Sequence, residues 1–243
     1  MNEITSKIAS GLNALMQEYE ASSHNIANSG TAGYKRKVTS FSAELQKSIR
    51  GDYSPLAGAI RAQESSDFTQ GQLVRTGQPL DIGLEGRGFI TLDTPGGRLY
   101  TRNGALQINI LGQLTDMNGH RVAGQNGPIA VPGGVNESEI TIDENGVLRA
   151  GEAELGQIQI TEFENPGEQL TGAGNGCYRG PEDFRPRGPV ETIVRQGYRE
   201  QSNVKIMEEL TGLLSVSRAF EANMSMLKRQ RENSSAMIEV AKS

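Results

Sequence analysis

Cysteine is almost absent. Cys177 is the single one in 243 residues, which excludes an internal disulfide and any metal cluster built on several thiolates. Read alone, Cys177 is an incidental thiol near a loop. Tryptophan is missing, and aromatics make up 5% and hydrophobic residues 35% of the chain, a lean core for this length. There are two histidines, His24 and His120, and neither has a second histidine or a cysteine at ligand spacing. A zinc site is not expected, and both read as surface or packing residues. No apolar run reaches membrane-spanning length, so membrane insertion is not expected. Lys7 is followed by no hydrophobic stretch, so no cleavable secretory signal is expected. Taken alone this reads as cytoplasmic, while leaving room for export by a machine that reads another signal. The net charge of −5 argues against a general nucleic-acid surface.

The signatures of common chemistry are missing too. There is no Gly-x-Ser-x-Gly, no Gly-x-x-x-x-Gly-Lys and no Gly-x-Gly-x-x-Gly after a strand. The stretch from Gly83 to Phe89 holds Gly86 and Gly88 but no helical pattern follows, so a β turn explains it. Asp143-Glu144-Asn145-Gly146 resembles the start of a calcium loop but lacks the later ligands and the bidentate Glu. The carboxylates are scattered, with no pair placed for acid–base work. The expectation is therefore a protein that is not an enzyme, with no catalytic, cofactor or metal residues.

Glycine is plentiful, with 30 residues, and it concentrates in an interior of period two. Leu80, Ile82 and Leu84 alternate with Asp81, Gly83 and Glu85; Leu106, Ile108 and Ile110 alternate with Gln107 and Asn109. Ile140 with Ile142 and Ile158 with Ile160 repeat the pattern, the mark of half-buried strands. Five Asn-Gly pairs lie among them, at 103–104, 118–119, 126–127, 145–146 and 175–176, and such pairs favour tight hairpins. An antiparallel β domain over 67–199 follows, with 164–189, rich in Gly, Pro and charge, expected as a surface loop or insertion. Residues 34–66 read as a connector, in which Phe41, Leu45 and Ile49 keep helical spacing before Gly51, Pro55 and Gly58.

The chain ends have a different period. Ile206, Leu210, Leu213, Ser217, Phe220, Met224, Leu227, Arg231, Ser234, Ile238 and Ala241 alternate spacings of four and three, as a helix with one narrow apolar seam does. Asn203 suits an N-cap, and Glu208 and Glu209 suit the positive helix end. Ile8, Leu12, Leu15, Tyr19, Ser22 and Ile26 repeat the spacing near the N-terminus. A narrow seam needs a partner, in this chain or another. The fold class expected is α+β: terminal helices from 1–33 and 200–243 paired as a coiled-coil-like domain, around the central antiparallel β domain. Ile8, Leu12, Leu15, Tyr19, Ile26, Ile206, Leu210, Leu213, Phe220, Met224 and Leu227 are the expected assembly interface. The plainer alternative is a long helix lying on its own domain.

One stretch is more specific. Ser23-His24-Asn25-Ile26-Ala27-Asn28, then Thr31-Ala32-Gly33-Tyr34-Lys35-Arg36, resembles the N-terminal signature of the bacterial flagellar rod and hook proteins. His24 stands where that family usually has a second Asn. The segments beginning at Asp67, Thr76, Gly86 and Tyr100, then Gly112 to Thr115 and Gly119, resemble the family's early β region and hairpins in the same order. Gln196-Gly197-Tyr198, Ser202-Asn203-Val204, Glu208-Glu209-Leu210 and Arg218 to Glu221 resemble its C-terminal part. The resemblance covers nearly the whole chain except 164–189. Its family motif falls on Asn25, Ala27, Asn28, Thr31, Gly33 and Tyr34.

The resemblance implies a structural axial subunit of the flagellar basal body, in the periplasmic rod. Terminal helices would pack into an inner tube, with a β domain outside. It implies export by the flagellar type III apparatus without a cleaved signal, with Phe41 and Leu45 fitting an export-recognition pattern or else serving as packing residues. The implied partners are copies of itself, other proximal rod subunits and the distal rod protein. The short connector favours a proximal rod subunit; the blocks around Gln196 and Glu208 lean toward the distal one. The rivals are an enzyme or carbohydrate-binding β module with helical ends, and a monomer whose helices fold back on its own β domain.

Overall fold

A computed structural model of the chain describes residues 2–44, 59–181 and 191–240. It is α+β, with a helix near each end of the chain and antiparallel sheets between. The chain forms two compact units.

The first unit gathers three separated stretches, 1–27, 37–66 and 205–243. Helix α1 spans Asn2–Ala27 and helix α3 spans Ile206–Val240. At about 1.5 Å per residue they are roughly 40 and 50 Å long. Strands β1 (Lys37–Glu44) and β2 (Ala59–Ser66) form an antiparallel ribbon whose register runs from Lys37 opposite Ser66 to Glu44 opposite Ala59. Helix α1 packs on both α3 and the ribbon. The segment read as a connector thus holds paired backbone through Glu44, in place of the helical spacing suggested by Phe41, Leu45 and Ile49; Leu45 and Ile49 lie outside the described residues.

The second unit comprises 28–36 and 67–204. Its strands are β3 (Leu73–Arg75), β4 (Ile82–Glu85), β5 (Gly88–Thr94), β6 (Gly97–Thr101), β7 (Leu106–Ile108), β8 (Leu114–Asp116) and β9 (Arg121–Val122). Then come β10 (Ile140–Ile142), β11 (Val147–Ala150), β12 (Ala153–Gln157) and β13 (Ile160–Glu162). After the one-turn helix α2 (Pro166–Gln169) follow β14 (Thr171–Gly174), β15 (Cys177–Arg179), β16 (Ile193–Gln196) and β17 (Tyr198–Glu200). The main sheet runs β14-β15-β6-β5-β9-β8-β7, and β13 also pairs with β5. Smaller antiparallel groups are β10-β11-β12, β16-β4 and β17-β3.

Of the alternating residues, Ile110 lies past the end of β7 and is fully exposed. Leu80, Ile82, Leu84, Leu106, Ile140, Ile142, Ile158 and Ile160 are buried in one aliphatic cluster with Ile90, Leu92, Leu114 and Leu148. The scarce aromatics are not spread through it. Phe89, Tyr100, Phe163 and Tyr178, with Phe68 against them, form a second cluster of edge-to-face pairs whose centroids lie 4.8 to 6.3 Å apart. Such pairs add about 0.5–1.5 kcal/mol each beyond area burial. A lean composition therefore still seals one corner of the unit.

This cluster explains a departure from the sequence reading. The sequence reads 164–189 as a surface loop or insertion, and within it 166–179 form α2 and the β14–β15 hairpin on the edge of the main sheet. Leu170, Cys177 and Tyr178 are buried there, and three apolar anchors outweigh the Gly and Pro content. Residues 182–190 lie outside the described residues. The Asn-Gly pairs at 118–119, 145–146 and 175–176 do sit between paired strands. Asn103-Gly104 serves another purpose: a Cβ on Gly104 would come within 1.7 Å of the Ile82 carbonyl oxygen, so its bare backbone lets β4 approach.

Candidate assembly surface and its anchoring turn

In the helical unit, the buried side of α1 carries Ala14, Ala21, Ser22 and Asn25. That of α3 carries Glu209 and Val216, with Gly212, Ala219 and Asn223 half-buried. These are small or polar residues. At 100° per residue, this face is rotated by about a quarter turn from the seam read in the sequence on both helices. The seam residues rim the buried face. Ile8, Leu12, Leu15, Ile26, Leu213 and Leu227 are half-buried, while Tyr19, Ile206, Leu210, Phe220 and Met224 are exposed. Beside them Met16, Met207, Leu214 and Met226 are also exposed. Small residues let the two backbones approach, and the larger side chains are left at the edge. The result is a row of large apolar groups along α3 that one chain does not cover.

Asn25, fully buried, ties three elements of this unit together. Its side-chain oxygen accepts the Lys37 backbone N–H at 2.7 Å, and its amide donates to the Lys37 carbonyl at 2.8 Å and to Glu209 Oε2 at 3.1 Å. An Asp here would lack the donor, and an aliphatic residue would lack all three bonds.

From Asn28 on, the motif belongs to the β unit. After Ala27 ends α1, the Asn28 carbonyl accepts the Thr31 N–H at 3.0 Å, and Thr31 Oγ1 donates to Asn28 Oδ1 at 3.3 Å. Gly33 donates its N–H to the Glu200 carbonyl at 2.8 Å with φ of +67°. A Cβ there would stand 2.4 Å from the backbone of Arg102 and Asn103, so both conformation and space demand glycine. Tyr34 is buried beside it. Asn203 closes the turn: its oxygen accepts the Arg36 N–H at 2.7 Å, and its amide donates to the Asp67 carbonyl at 2.9 Å and to Thr69 Oγ1 at 3.0 Å. The residue expected as a helix cap is instead a clamp on the turn.

A buried charge cluster holds the same turn. Lys35 has a fully buried side chain with Nζ 2.6 Å from Glu200 Oε1 and 2.7 Å from the Thr69 carbonyl. Glu200 also accepts the Gly71 N–H at 2.8 Å, and its other oxygen faces Arg102 at 3.4 Å. Arg102 donates to the Gly86 carbonyl at 2.6 Å and lies over the Phe89 ring at 4.9 Å. Burial pulls both cations below their ordinary pKa values, partly offset by the Glu200 charge. Nothing in the local sequence announced this cluster, because Lys35 and Glu200 are 165 residues apart.

One convergence contradicts the expectation of isolated histidine and cysteine. Asp116, His120 and Cys177 each bring a ligand-type atom within 4.8 Å of the others. Burial pushes the Cys177 thiol up to about 11, with the Asp116 charge adding to the effect. A thiol so held is not a nucleophile at neutral pH.

The comparisons with known proteins agree with the architecture. Residues 195–240 match the family model for the flagellar basal body rod FlgEFG protein C-terminal region, and 83–150 match that for the flagellar hook protein FlgE/F/G D1 domain. The chain is 31% identical over 233 residues to the flagellar basal-body rod protein FlgF of Salmonella typhimurium, covering 90% of each. The chain belongs to the flagellar basal-body rod protein family. The FlgF of Mesorhizobium japonicum is 33% identical over 230 residues, with 91% of this chain and 90% of that one covered. The rod protein FlgG of Caulobacter vibrioides is 31% identical over 246 residues, with 90% and 92% covered. This rod-family chain is thus a structural subunit of the basal body, not an enzyme. Among the described residues no helix is long and apolar enough to cross a membrane.

Proposed function

We propose that the chain polymerises through α1 and α3, with its own copies and with other proximal and distal rod subunits, into the helical tube of the rod. The observation that supports this is the uncovered row formed by Ile206, Leu210, Leu214 and Met224 on α3, with Tyr19 on α1. Contacts that repeat head to tail without closing generate a helix, and two terminal helices supply complementary surfaces for them. Helices from neighbouring subunits would then complete the seam as coiled-coil packing. In this division of labour the terminal segments, 1–33 and 200–243, build the tube, and the β domain, about 67–199, forms its outer layer. Stiffness, and with it torque transmission, comes from packing alone.

The periplasmic position and type III export without a cleaved signal belong to the same reading. Phe41 and Leu45 are the proposed export-recognition residues. The position is proximal, like that of the FlgF relatives; the FlgG match at comparable identity supports a distal position as the alternative. A photo-crosslinking residue in place of Leu210 tests the central claim in cells. It should capture a second rod subunit in assembled basal bodies. Products confined to a single chain would refute it.

A further inference from the structure

Beyond assembly, we propose that Asp116, His120 and Cys177 form a binding site for a divalent zinc ion. Asp116 ends β8, His120 lies in the turn before β9, and Cys177 begins β15, which β6, β5 and β9 separate from β8 in the main sheet's order. The carboxylate is fixed before any ion arrives. Its Oδ1 accepts the backbone N–H groups of Asn118 at 2.9 Å and His120 at 2.8 Å. Its Oδ2 faces His120 Nδ1 at 2.9 Å and the Asn118 amide at 3.2 Å. Cys177 is 3% exposed, and its thiol makes a weak 3.8 Å contact to the Asn175 carbonyl. The Thr101 hydroxyl, 2.9 Å from the Gly176 carbonyl, also hydrogen-bonds the sulfur and offsets part of the rise that burial imposes on the thiol. A buried sulfur whose polar neighbours are the Thr101 hydroxyl and the Asn175 carbonyl therefore faces an oriented Asp–His pair within 4.8 Å.

Mixed N, O and S ligands suit zinc, which takes them at about 2.0–2.3 Å in a tetrahedron. In that geometry the 2.9 Å gap between His120 and Asp116 opens by a few tenths of an ångström, and the sulfur moves by roughly 1 Å. The thiol loses its proton to solvent as the S–Zn bond forms, and the imidazole proton that faces Asp116 moves from Nδ1 to Nε2 so that Nδ1 can ligate. One thiolate and one carboxylate then balance the ion's two charges, so a neutral site replaces a buried thiol. The His120 side chain is 30% exposed, which provides an entry path and room for water as the fourth ligand. The ion would clamp the β15 edge to the β8–β9 turn.

Cadmium, which reports a bound thiolate by an ultraviolet charge-transfer band, is titrated into the purified full-length chain. One ion per chain should bind with that band, and zinc should displace it. Cys177→Ser should abolish the band, and His120→Gln should weaken cadmium binding at least about 10-fold. Near-ultraviolet circular dichroism of the His120→Gln chain should stay native, since that side chain is at the surface. No band in the wild-type chain, a band that survives Cys177→Ser, or unchanged affinity in His120→Gln overturns the site.

Discussion

Truncating Leu214 to alanine tests the assembly surface where it can be separated from chain stability. The side chain is 63% exposed, whereas Val216, two residues on, is 5% exposed and Phe220 is 36% exposed. Burying a whole leucine contributes about 1.5–3 kcal/mol. If the neighbouring subunit covers the exposed part, Leu214→Ala costs assembly about 1–1.5 kcal/mol once the retained methyl is discounted. A factor of ten corresponds to about 1.4 kcal/mol, so the variant should be depleted roughly 5–10-fold. The chain itself should lose less than about 1 kcal/mol. Val216→Ala should invert this, costing the helical unit about 1–3 kcal/mol through the cavity while leaving the outward row intact. Phe220→Ala should act on both and is the ambiguous probe. The assay co-expresses each variant with tagged wild type and compares their ratio in purified basal bodies with that in the unassembled pool. Melting curves of the isolated chains give the other half. Leu214→Ala incorporated at parity with wild type would show that the outward row stays exposed in the rod.

Three further outcomes follow. Gly33→Val should lower the melting temperature of the β unit itself, because the new side chain strikes the Arg102–Asn103 backbone; an unchanged transition would mean the turn yields. Asn25→Ala leaves the Lys37 N–H and the buried face of α1 unsatisfied and should destabilise the helical unit by about 1–3 kcal/mol, read from far-ultraviolet melting; a loss below about 0.5 kcal/mol would deny the tie. Lys35→Met should cost about 3–5 kcal/mol in denaturant titrations by leaving the Glu200 charge buried with the longer Arg102 contact as its remaining cation and the Gly71 N–H as a neutral donor. It should also remove a pH dependence: a lysine held below 10.5 binds fewer protons folded than unfolded, so wild-type stability should rise with pH in the interval below 10.5.

Legibility in the sequence followed the range of the forces. The alternation at Leu80–Glu85 and Leu106–Ile108 and the terminal seven-residue repeats are local, and strands and helices lie there; the same alternation fails at Ile110, which sits in the turn after β7 and is exposed. The seam was legible as a stripe, but not which side of it one chain would cover. Ala14, Ala21, Gly212 and Ala219 carry no hydrophobic weight in a periodicity count, yet they set the close face. The Lys35–Glu200–Arg102 cluster and the Asp116–His120–Cys177 convergence depend on strand order, and strand order has no local mark. The hairpin at 171–179 was hidden by its glycines, since its two buried anchors, Cys177 and Tyr178, are adjacent residues.

The helical unit draws on residues 1–27, 37–66 and 205–243, and the Asn25–Glu209 bond joins positions 184 apart. Long-range contacts of this kind form late, because a long intervening loop must close first. A chain that emerges from its N-terminus carries α1 without its helical partner until almost the last residue appears. Most of the β unit, 67–204, is complete before then and can close the gap by folding. The order of emergence thus acts as a timer. The surface that would polymerise is therefore finished after the β unit, so a chain still short of α3 has no completed helical pair with which to join its neighbours.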